Sequence, residues 1–236
     1  HWTGNSQNWN TMCASCHSTD LQKKYDEQAD AYNTTWKEIN VSCESCHGPG
    51  SSHIDYINSK QYQKGNRIVN AGLFYGRDTV PQLQLNTCAA CHARKSDVAP
   101  DLLRSDEVMD DLIPQVLSNE LYYADGQIME EDYEYGSFTQ SKMFHNNVRC
   151  SSCHNPHSGK LRLTGNNLCL SCHKPTYNTP AHHFHKPDTE AAQCVNCHMV
   201  AHKYMGVDHR RDHSFRVPRP DQSAQYGTPN ACTGCH

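Results

Sequence analysis

Hydrophobic residues are sparse along the chain and form few regular patterns. Residues 101–119 carry apolar side chains at helical spacing, which predicts a helix with a break at Pro114. Residues 21–32 have the pattern of a short amphipathic helix. Gly, Pro and Asn are scattered between the other segments, and these residues favour turns and loops. We therefore expect a mainly α fold made of short helices and extensive irregular loops, with little β structure.

The composition predicts a thin hydrophobic core. Apolar residues make up 36% of the 236 residues and the mean hydropathy is -0.82, whereas a typical soluble domain is about 45–50% apolar. Such a chain needs an added apolar body to fold compactly. No run approaches the roughly 18 apolar residues of a membrane helix, so we expect no membrane span. The net charge of -4 argues against a nucleic-acid partner.

Cysteine and histidine change this picture, because all 14 Cys fall into seven C-x-x-C pairs and His follows each pair directly. The paired cysteines are Cys13 and Cys16, Cys43 and Cys46, Cys88 and Cys91, Cys150 and Cys153, Cys169 and Cys172, Cys194 and Cys197, and Cys232 and Cys235. The histidines that follow them are His17, His47, His92, His154, His173, His198 and His236. With only 17 His in the chain, chance does not place one after every pair.

The seven C-x-x-C-H motifs indicate covalent attachment of seven haem c groups, each containing iron. Two Cys three positions apart lie on one side of a helical turn, so both can form thioethers to one porphyrin. The adjacent His then reaches the iron as its proximal ligand. Zinc knuckles and local disulfides are the alternatives, but neither requires the trailing His, and an odd number of pairs suits zinc poorly. Seven flat apolar groups would also supply much of the missing core.

Ten further histidines are available as second axial ligands, so we expect most irons to be bis-histidine. A His just after its own motif cannot reach the opposite face of that haem, so His53 and His157 should serve neighbouring haems. Successive residues of an extended chain point in opposite directions, so His182 and His183 could serve different haems. His185 lies beside them, and His213 lies where the chain must fold back. Methionine is the alternative ligand, with four candidates: Met12, Met143, Met199 and Met205.

The motifs occur at irregular intervals, so the chain is not a solenoid. We expect a single seven-haem module over residues 1–236, with three motifs in a sparser part, 1–149, and four in a denser part, 150–236. The chain begins with His1, which suggests a processed chain or a fragment of a longer protein. Four arginines in residues 208–220 could pair with haem propionates, or they could form a basic surface loop: Arg210, Arg211, Arg216 and Arg219.

Several stretches resemble a family of large multihaem c-type cytochromes that often carry tetratricopeptide repeats. Those stretches include "HWTGNSQNWNTMCASCHSTDL", "EINVSCESCHGPGSSH", "CHNPHSGKLR", "HHFHKP" and "RRDHSFRVPRPDQS". The resemblance implies an exported bacterial electron-transfer protein, periplasmic or extracellular, shorter at both ends than its relatives. It also implies seven distal ligands: His1, His53, His157, His182, His183, His185 and His213. His145, His202 and His209 fall where the family has other residue types.

These observations favour an electron-carrying multihaem cytochrome over an enzyme. Two histidines close both axial sites of an iron, so no substrate can bind there. We expect redox-protein partners or an extracellular electron acceptor, and the pattern also allows copies of the chain to assemble into a longer haem wire. The alternative is an oxidoreductase acting on a small nitrogen or sulfur oxyanion at one open haem iron. Its best local candidates would be Tyr122, Tyr123, His145 and Arg149.

Overall fold

The structure is a computed structural model that describes residues 4, 7–60, 62, 64, 72–73, 80–98, 108–115, 117–204 and 206–236. The chain divides into two compact units, His1–Pro114 and Gln115–His236. Within the described residues, the longest helix has twelve residues and no strand exceeds four. The expectation of a mainly α fold with little β structure is confirmed.

The first unit consists of short helices and two small hairpins. Its helices are a π-helix at Trp9–Cys13, α1 (Ala14–His17), α2 (Cys43–His47), α3 (Ser51–Asn58), α4 (Pro81–His92) and α5 (Val108–Asp111). Its strands are β1 (Tyr25–Asp26), β2 (Ala31–Tyr32), β3 (Lys95–Asp97) and β4 (Leu112–Pro114). Strand β1 pairs antiparallel with β2, and β3 pairs antiparallel with β4.

The second unit also consists of short helices and small hairpins. Its helices are α6 (Tyr133–Phe138), α7 (Lys142–His145), α8 (Cys150–Cys153), α9 (Asn167–Leu170), α10 (Pro180–His183), α11 (Cys194–His198) and α12 (Pro220–Tyr226), with 3-10 turns at Pro175–Asn178, Glu190–Ala192 and Cys232–Gly234. Its strands are β5 (His154–Asn155), β6 (Lys160–Leu161), β7 (Ala201–Tyr204) and β8 (Asp208–Arg211). They form two antiparallel hairpins, β5 with β6 and β7 with β8.

The predicted amphipathic helix over residues 21–32 is wrong, because this segment is the hairpin of β1 and β2. The carboxylate of Asp26 accepts a hydrogen bond of 2.9 Å from the main-chain N–H of Gln28, which forms the turn. The Tyr25 and Tyr32 rings then pack across the strands with their centres 4.9 Å apart. Aspartate side chains offer the backbone such turns in place of helical hydrogen bonds, and here that competition decides the structure.

The helix predicted within residues 101–119 is present only in part. Residues 101–107 lie outside the described residues, and α5 ends at Asp111. The chain then enters β4, where Leu112 is buried opposite Asp97 of β3 and Pro114 stands at the strand end. Pairing with β3 and burial of Leu112 therefore override the helical spacing, three residues before the predicted break at Pro114.

The core of the second unit is small, as the composition predicts. Its apolar cluster consists of Leu121, Tyr122, Ile128 and Tyr204. The buried Asp212 carboxylate accepts a hydrogen bond of 2.9 Å from the main-chain N–H of Ile128 and one of 2.7 Å from that of Ser214. These hydrogen bonds connect the segment around Ile128 with the segment that follows β8. Both segments border the site described below.

Candidate haem-binding site

All seven C-x-x-C-H motifs lie in or directly beside a single helical turn. The turns belong to α1, α2, the last turn of α4, α8, α9, α11 and the 3-10 helix at Cys232–Gly234. Where the helix ends early, the turn still continues to the His: the His173 N–H donates to the Cys169 carbonyl, and the His236 N–H donates to the Cys232 carbonyl, both at 2.9 Å. None of the 14 cysteines is disulfide-bonded. Each motif thus presents two thiols and an imidazole from one turn.

Thiols of successive motifs lie close together in the second unit. Burial, followed by the neighbouring Cys194 thiol, raises the pKa of Cys169 to about 11. The same two effects, burial and a thiol of the next motif, raise the pKa of two further cysteines: Cys153 beside Cys172, and Cys197 beside Cys232. Consecutive motifs of this unit therefore place their thiols near one another.

In the first unit, α1 and α4 bring the first and third motifs together. The Cys16 sulfur lies 3.8 Å from the main-chain oxygen of Cys91. A hydrogen bond from the side chain of Cys91, rather than this carbonyl, lowers the pKa of the Cys16 thiol to about 6; burial opposes this effect, while Ser15, Lys95 and His17 add to it. The thiolate is the reactive form of cysteine, so this setting favours bond formation at Cys16.

Three pairs of histidine rings face each other across similar gaps in the second unit. The ring centres of His182 and His198 are 6.2 Å apart and their planes differ by only 8°. The corresponding values are 6.4 Å and 29° for His154 and His213, and 5.8 Å and 36° for His185 and His236. Each pair joins a motif histidine to a predicted distal ligand. Two imidazoles that bind one metal ion from opposite sides, each at about 2 Å, have ring centres about 6 Å apart.

Main-chain carbonyls orient one ring of each pair. The Nδ1–H of His198 donates to the carbonyl oxygen of Arg216 at 2.8 Å, and that of His213 donates to Arg211 at 2.9 Å. The Nδ1 of His185 makes the same kind of bond to the carbonyl of His183. A proton held on Nδ1 leaves Nε2 as a lone-pair donor, which is the usual arrangement of a histidine that binds a metal.

Tyr177 connects two of the motif regions through ring contacts. Its ring centre lies 6.3 Å from that of His173 and 5.0 Å from that of His182, edge-on in both cases. The neighbouring His183 has an Nε2 atom that is buried without a hydrogen-bond partner in the described part of the chain. Such a nitrogen suits metal ligation, because a buried polar atom left without a partner is costly.

Two further predicted distal ligands lie among the described residues. His53 lies in α3, and His157 lies in the turn after β5, where its N–H donates to the Asn155 side chain at 3.0 Å. Their assignment to neighbouring haems stays a prediction. His1 lies outside the described residues, as does the alternative ligand Met205.

His202 is not among the predicted distal ligands, yet its surroundings resemble those of His183. The Nε2 of His202 is also buried, with no hydrogen-bond partner among the described residues. Burial lowers the pKa of this imidazole despite the nearby Asp212. The other two histidines outside the predicted set of distal ligands, His145 and His209, are exposed. No spacing pattern in the sequence marks His202, because its burial comes from the fold of the β7–β8 hairpin.

The four arginines that could hold propionates have different partners. Arg210 pairs with Glu131 and Asp208, and Arg219 pairs with Asp221. The Arg211 guanidinium donates to three acceptors at the end of α11: the carbonyls of Val195 and Met199 and the side chain of Asn196. Arg216 donates to the neutral oxygens of Ser214, at 3.1 Å, and Gln140, at 2.9 Å.

A cavity of about 390 Å³ lies against the sixth motif and is lined by Cys197, His198 and Arg216, among others. Its volume falls in the range of about 300–1,000 Å³ that is usual for sites of small molecules and cofactors. The lining combines a thiol, an imidazole and a guanidinium, which are the groups that bond a porphyrin vinyl, its iron and its propionates. The residues present therefore fit a haem c group.

The residues suggested for an open catalytic haem do not gather at this cavity. Tyr122 is buried in the apolar cluster, and His145 is exposed at the end of α7. Neither they nor Tyr123 and Arg149 line the cavity. The cavity therefore gives the oxyanion alternative no support.

Two family models match parts of the chain. The model for a doubled CXXCH motif matches residues 144–178, and the model for cytochrome c554 and c-prime matches residues 3–48. No curated protein sequence matches the chain.

Two solved structures match the chain. The crystal structure of the outer cell wall cytochrome OcwA matches with a TM-score of 0.66 at 18% identity, over 97% of this chain and 60% of that one. The undecaheme cytochrome from the S-layer of Carboxydothermus ferrireducens matches with a TM-score of 0.45 at 18% identity, over 98% of this chain and 44% of that one. The chain thus spans about three fifths of the length of OcwA, with which it shares a fold. Within the described residues, no helix is both long and apolar enough to cross a membrane.

Proposed function

Since the chain is a multihaem c-type cytochrome, we propose that it carries electrons through seven covalently attached haems. Most of the irons would be held by two histidines. The haem iron, when bound, supplies the one-electron chemistry. The protein supplies the thiols, the axial imidazoles and the surroundings that set each reduction potential.

The observation that carries this proposal is the spacing of the three facing histidine pairs. Their ring centres are separated by 5.8 to 6.4 Å, which is the separation that a shared metal ion requires. We assign His182 and His198 to one iron, His154 and His213 to a second, and His185 and His236 to a third. His173, the fourth motif histidine of this unit, then has His157 and His183 as its candidate partners.

Bis-histidine ligation suits electron transfer better than catalysis. With two histidines as ligands, the protein would hold the iron in the same way in both redox states, so little reorganisation would accompany each transfer. Successive motifs of the second unit also lie near one another, since the Cys194 thiol raises the pKa of Cys169 and the Cys232 thiol raises that of Cys197. Haems attached there would be close enough for electrons to pass from one to the next.

The segment that contains His182 and His185 would hold two haems at once, those of the sixth and seventh motifs. Helix α10 ends at His183, and the next residue, Phe184, adopts a left-handed conformation with φ of 58°. Because the chain turns at this residue, the His182 and His185 side chains point in different directions. His182 faces His198, whereas His185 faces His236. Non-glycine residues seldom adopt this conformation, so the ligands on both sides would help to hold it.

We further propose that the protein is exported and works in the periplasm or outside the cell. The name of OcwA, an outer cell wall cytochrome whose fold the chain shares, supports this location. Its partners would be redox proteins or an extracellular electron acceptor. Copies of the chain could also associate into a longer haem wire, and nucleic acid is not an expected partner.

Haem counting and spin-state measurements test the proposal. Intact mass and pyridine haemochrome analysis should find seven haems on each chain, and electron paramagnetic resonance should find mainly low-spin iron. Far fewer than seven haems would overturn the attachment scheme. A majority of high-spin iron, together with turnover of nitrite, hydroxylamine or sulfite, would instead favour the oxidoreductase alternative.

A further inference from the structure

We propose that Arg216 binds a haem propionate in the cavity beside Cys197 and His198. This inference rests on the proposed function, because it requires a haem attached at the sixth motif. The chemical class of the ligand is a carboxylate on the porphyrin edge. Among the four arginines of residues 208–220, the structure singles out one side chain for this role.

The charges around the cavity leave Arg216 without a partner of opposite charge. Arg219 also lines the cavity, but Asp221 neutralises it through two hydrogen bonds, at 2.8 and 2.5 Å. Within the described part of the chain, the acceptors of Arg216 are the neutral side-chain oxygens of Ser214 and Gln140. Among the described residues, no carboxylate lies within ion-pair distance of its guanidinium.

The other charged groups of the cavity lining do not fill this role. Both carboxylates accept hydrogen bonds from other groups: Asp212 from main-chain N–H groups, and Asp125 from Gln127. Lys142 also lines the cavity, but this residue is exposed, so solvent screens its charge. A partly buried guanidinium without a counter-charge is costly, and a propionate would offset that cost. Its planar fork also matches a carboxylate with two parallel hydrogen bonds.

The side-chain amide of Gln140 holds the Arg216 side chain in position. Gln140 donates from Nε2 to the carbonyls of Gly126 and Gly136, both at 3.0 Å, and accepts from Arg216 through Oε1. Gly126 has a φ of 82°, and a Cβ built there would lie 2.7 Å from the Arg216 Nη2 atom. The absence of a side chain at Gly126 therefore makes room for the guanidinium.

Arg216 also contacts the same motif through its main chain. Its carbonyl oxygen accepts the hydrogen bond from the Nδ1–H of His198, at 2.8 Å. One residue thus orients the proximal imidazole and presents a positive charge at the cavity. A change of side chain leaves the carbonyl in place, so the charge can be tested separately from the orientation of the ligand.

The expected effect is on the reduction potential of one haem. A guanidinium paired with a propionate offsets negative charge near the iron, which favours the reduced state. Replacing Arg216 by Gln removes that charge and should lower the potential of this haem. We expect a tenfold change in the reduction equilibrium, which corresponds to about 59 mV for a one-electron couple.

The experiment compares Arg216→Gln, Arg216→Lys and Arg219→Gln with the parent holoprotein by spectroelectrochemical titration. Intact mass gives the haem count of each protein. Arg216→Gln should shift one haem to lower potential or lose one haem, while Arg216→Lys, which keeps the charge, should shift less and stay fully loaded. Arg219→Gln should resemble the parent, because Asp221 already neutralises that arginine.

Two results would overturn the assignment: a fully loaded Arg216→Gln protein with unchanged potentials, or an equal effect of Arg219→Gln. Either could occur with all seven haems attached and low-spin, in which case the proposed function would stand. A parent protein that lacks the haems would refute the proposed function itself.

Discussion

Replacing His182 by Gly tests the assignment of the facing histidine pairs. The His182 ring lies parallel to the His198 ring within 8°, with the ring centres 6.2 Å apart. Removing one imidazole should therefore leave one iron with a single axial ligand. His183 follows directly in α10, but successive helical residues point about 100° apart, so it cannot take the same place without a rearrangement of the helix.

The expected magnitude follows from the number of motifs. One of seven irons would change, so about one seventh of the total haem should become high-spin, while the other six keep both ligands. Electron paramagnetic resonance and visible spectra of the oxidised protein measure this fraction. Added imidazole should enter the vacated position and restore the low-spin signal, which a general loss of structure would not allow.

His209→Gly is the matched control, because His209 is an exposed histidine on β8 and is not an expected ligand. It should leave the spin state unchanged. A His182→Gly protein with seven haems and no high-spin signal would refute the pairing of His182 with His198. An equal effect in the control would show that loss of a histidine, rather than of a specific ligand, causes the change.

Two further predictions concern stability. Burial raises the pKa of Asp97, but Lys95 and Lys23 outweigh it and hold that pKa below its usual value. Asp97→Asn should thus lower the thermal unfolding temperature at pH 7, and the difference from the parent should shrink as the pH falls through the acid range; a difference independent of pH would contradict this. Asp212→Ala leaves the main-chain N–H of Ile128 without its acceptor and should cost about 1–3 kcal/mol in urea unfolding. A loss below about 0.5 kcal/mol, the level of ordinary surface changes, would contradict it.

Haem attachment could be predicted from the sequence because its chemistry is local. Two thiols and an imidazole within five residues share one helical turn, so their spacing alone identifies the bound group. The structure keeps each motif in or beside such a turn, and the matching family models agree with the interpretation. The class of protein was predictable for the same reason.

Short helices and turns were less predictable. The segment 21–32 has helical spacing but forms a hairpin, because the Asp26 carboxylate stabilises a turn. Leu112 continues a helical pattern but joins a strand, because pairing with β3 buries it. Where apolar residues are few, hydrophobic periodicity is a weak signal, and a single hydrogen bond or strand pair can decide the local structure.

The sequence alone determined the number of attachment motifs, the chemistry of the bound group and the set of histidines available to it. Only the tertiary structure decided which histidines face each other, since His154 and His213 meet across segments that no spacing rule connects. It also separated Arg216 from Arg210 and Arg219, which pair with carboxylates, and from Arg211, which donates to oxygens of α11 and does not line the cavity. Covalent attachment depends on neighbours along the chain, whereas axial pairing and charge compensation depend on neighbours in space.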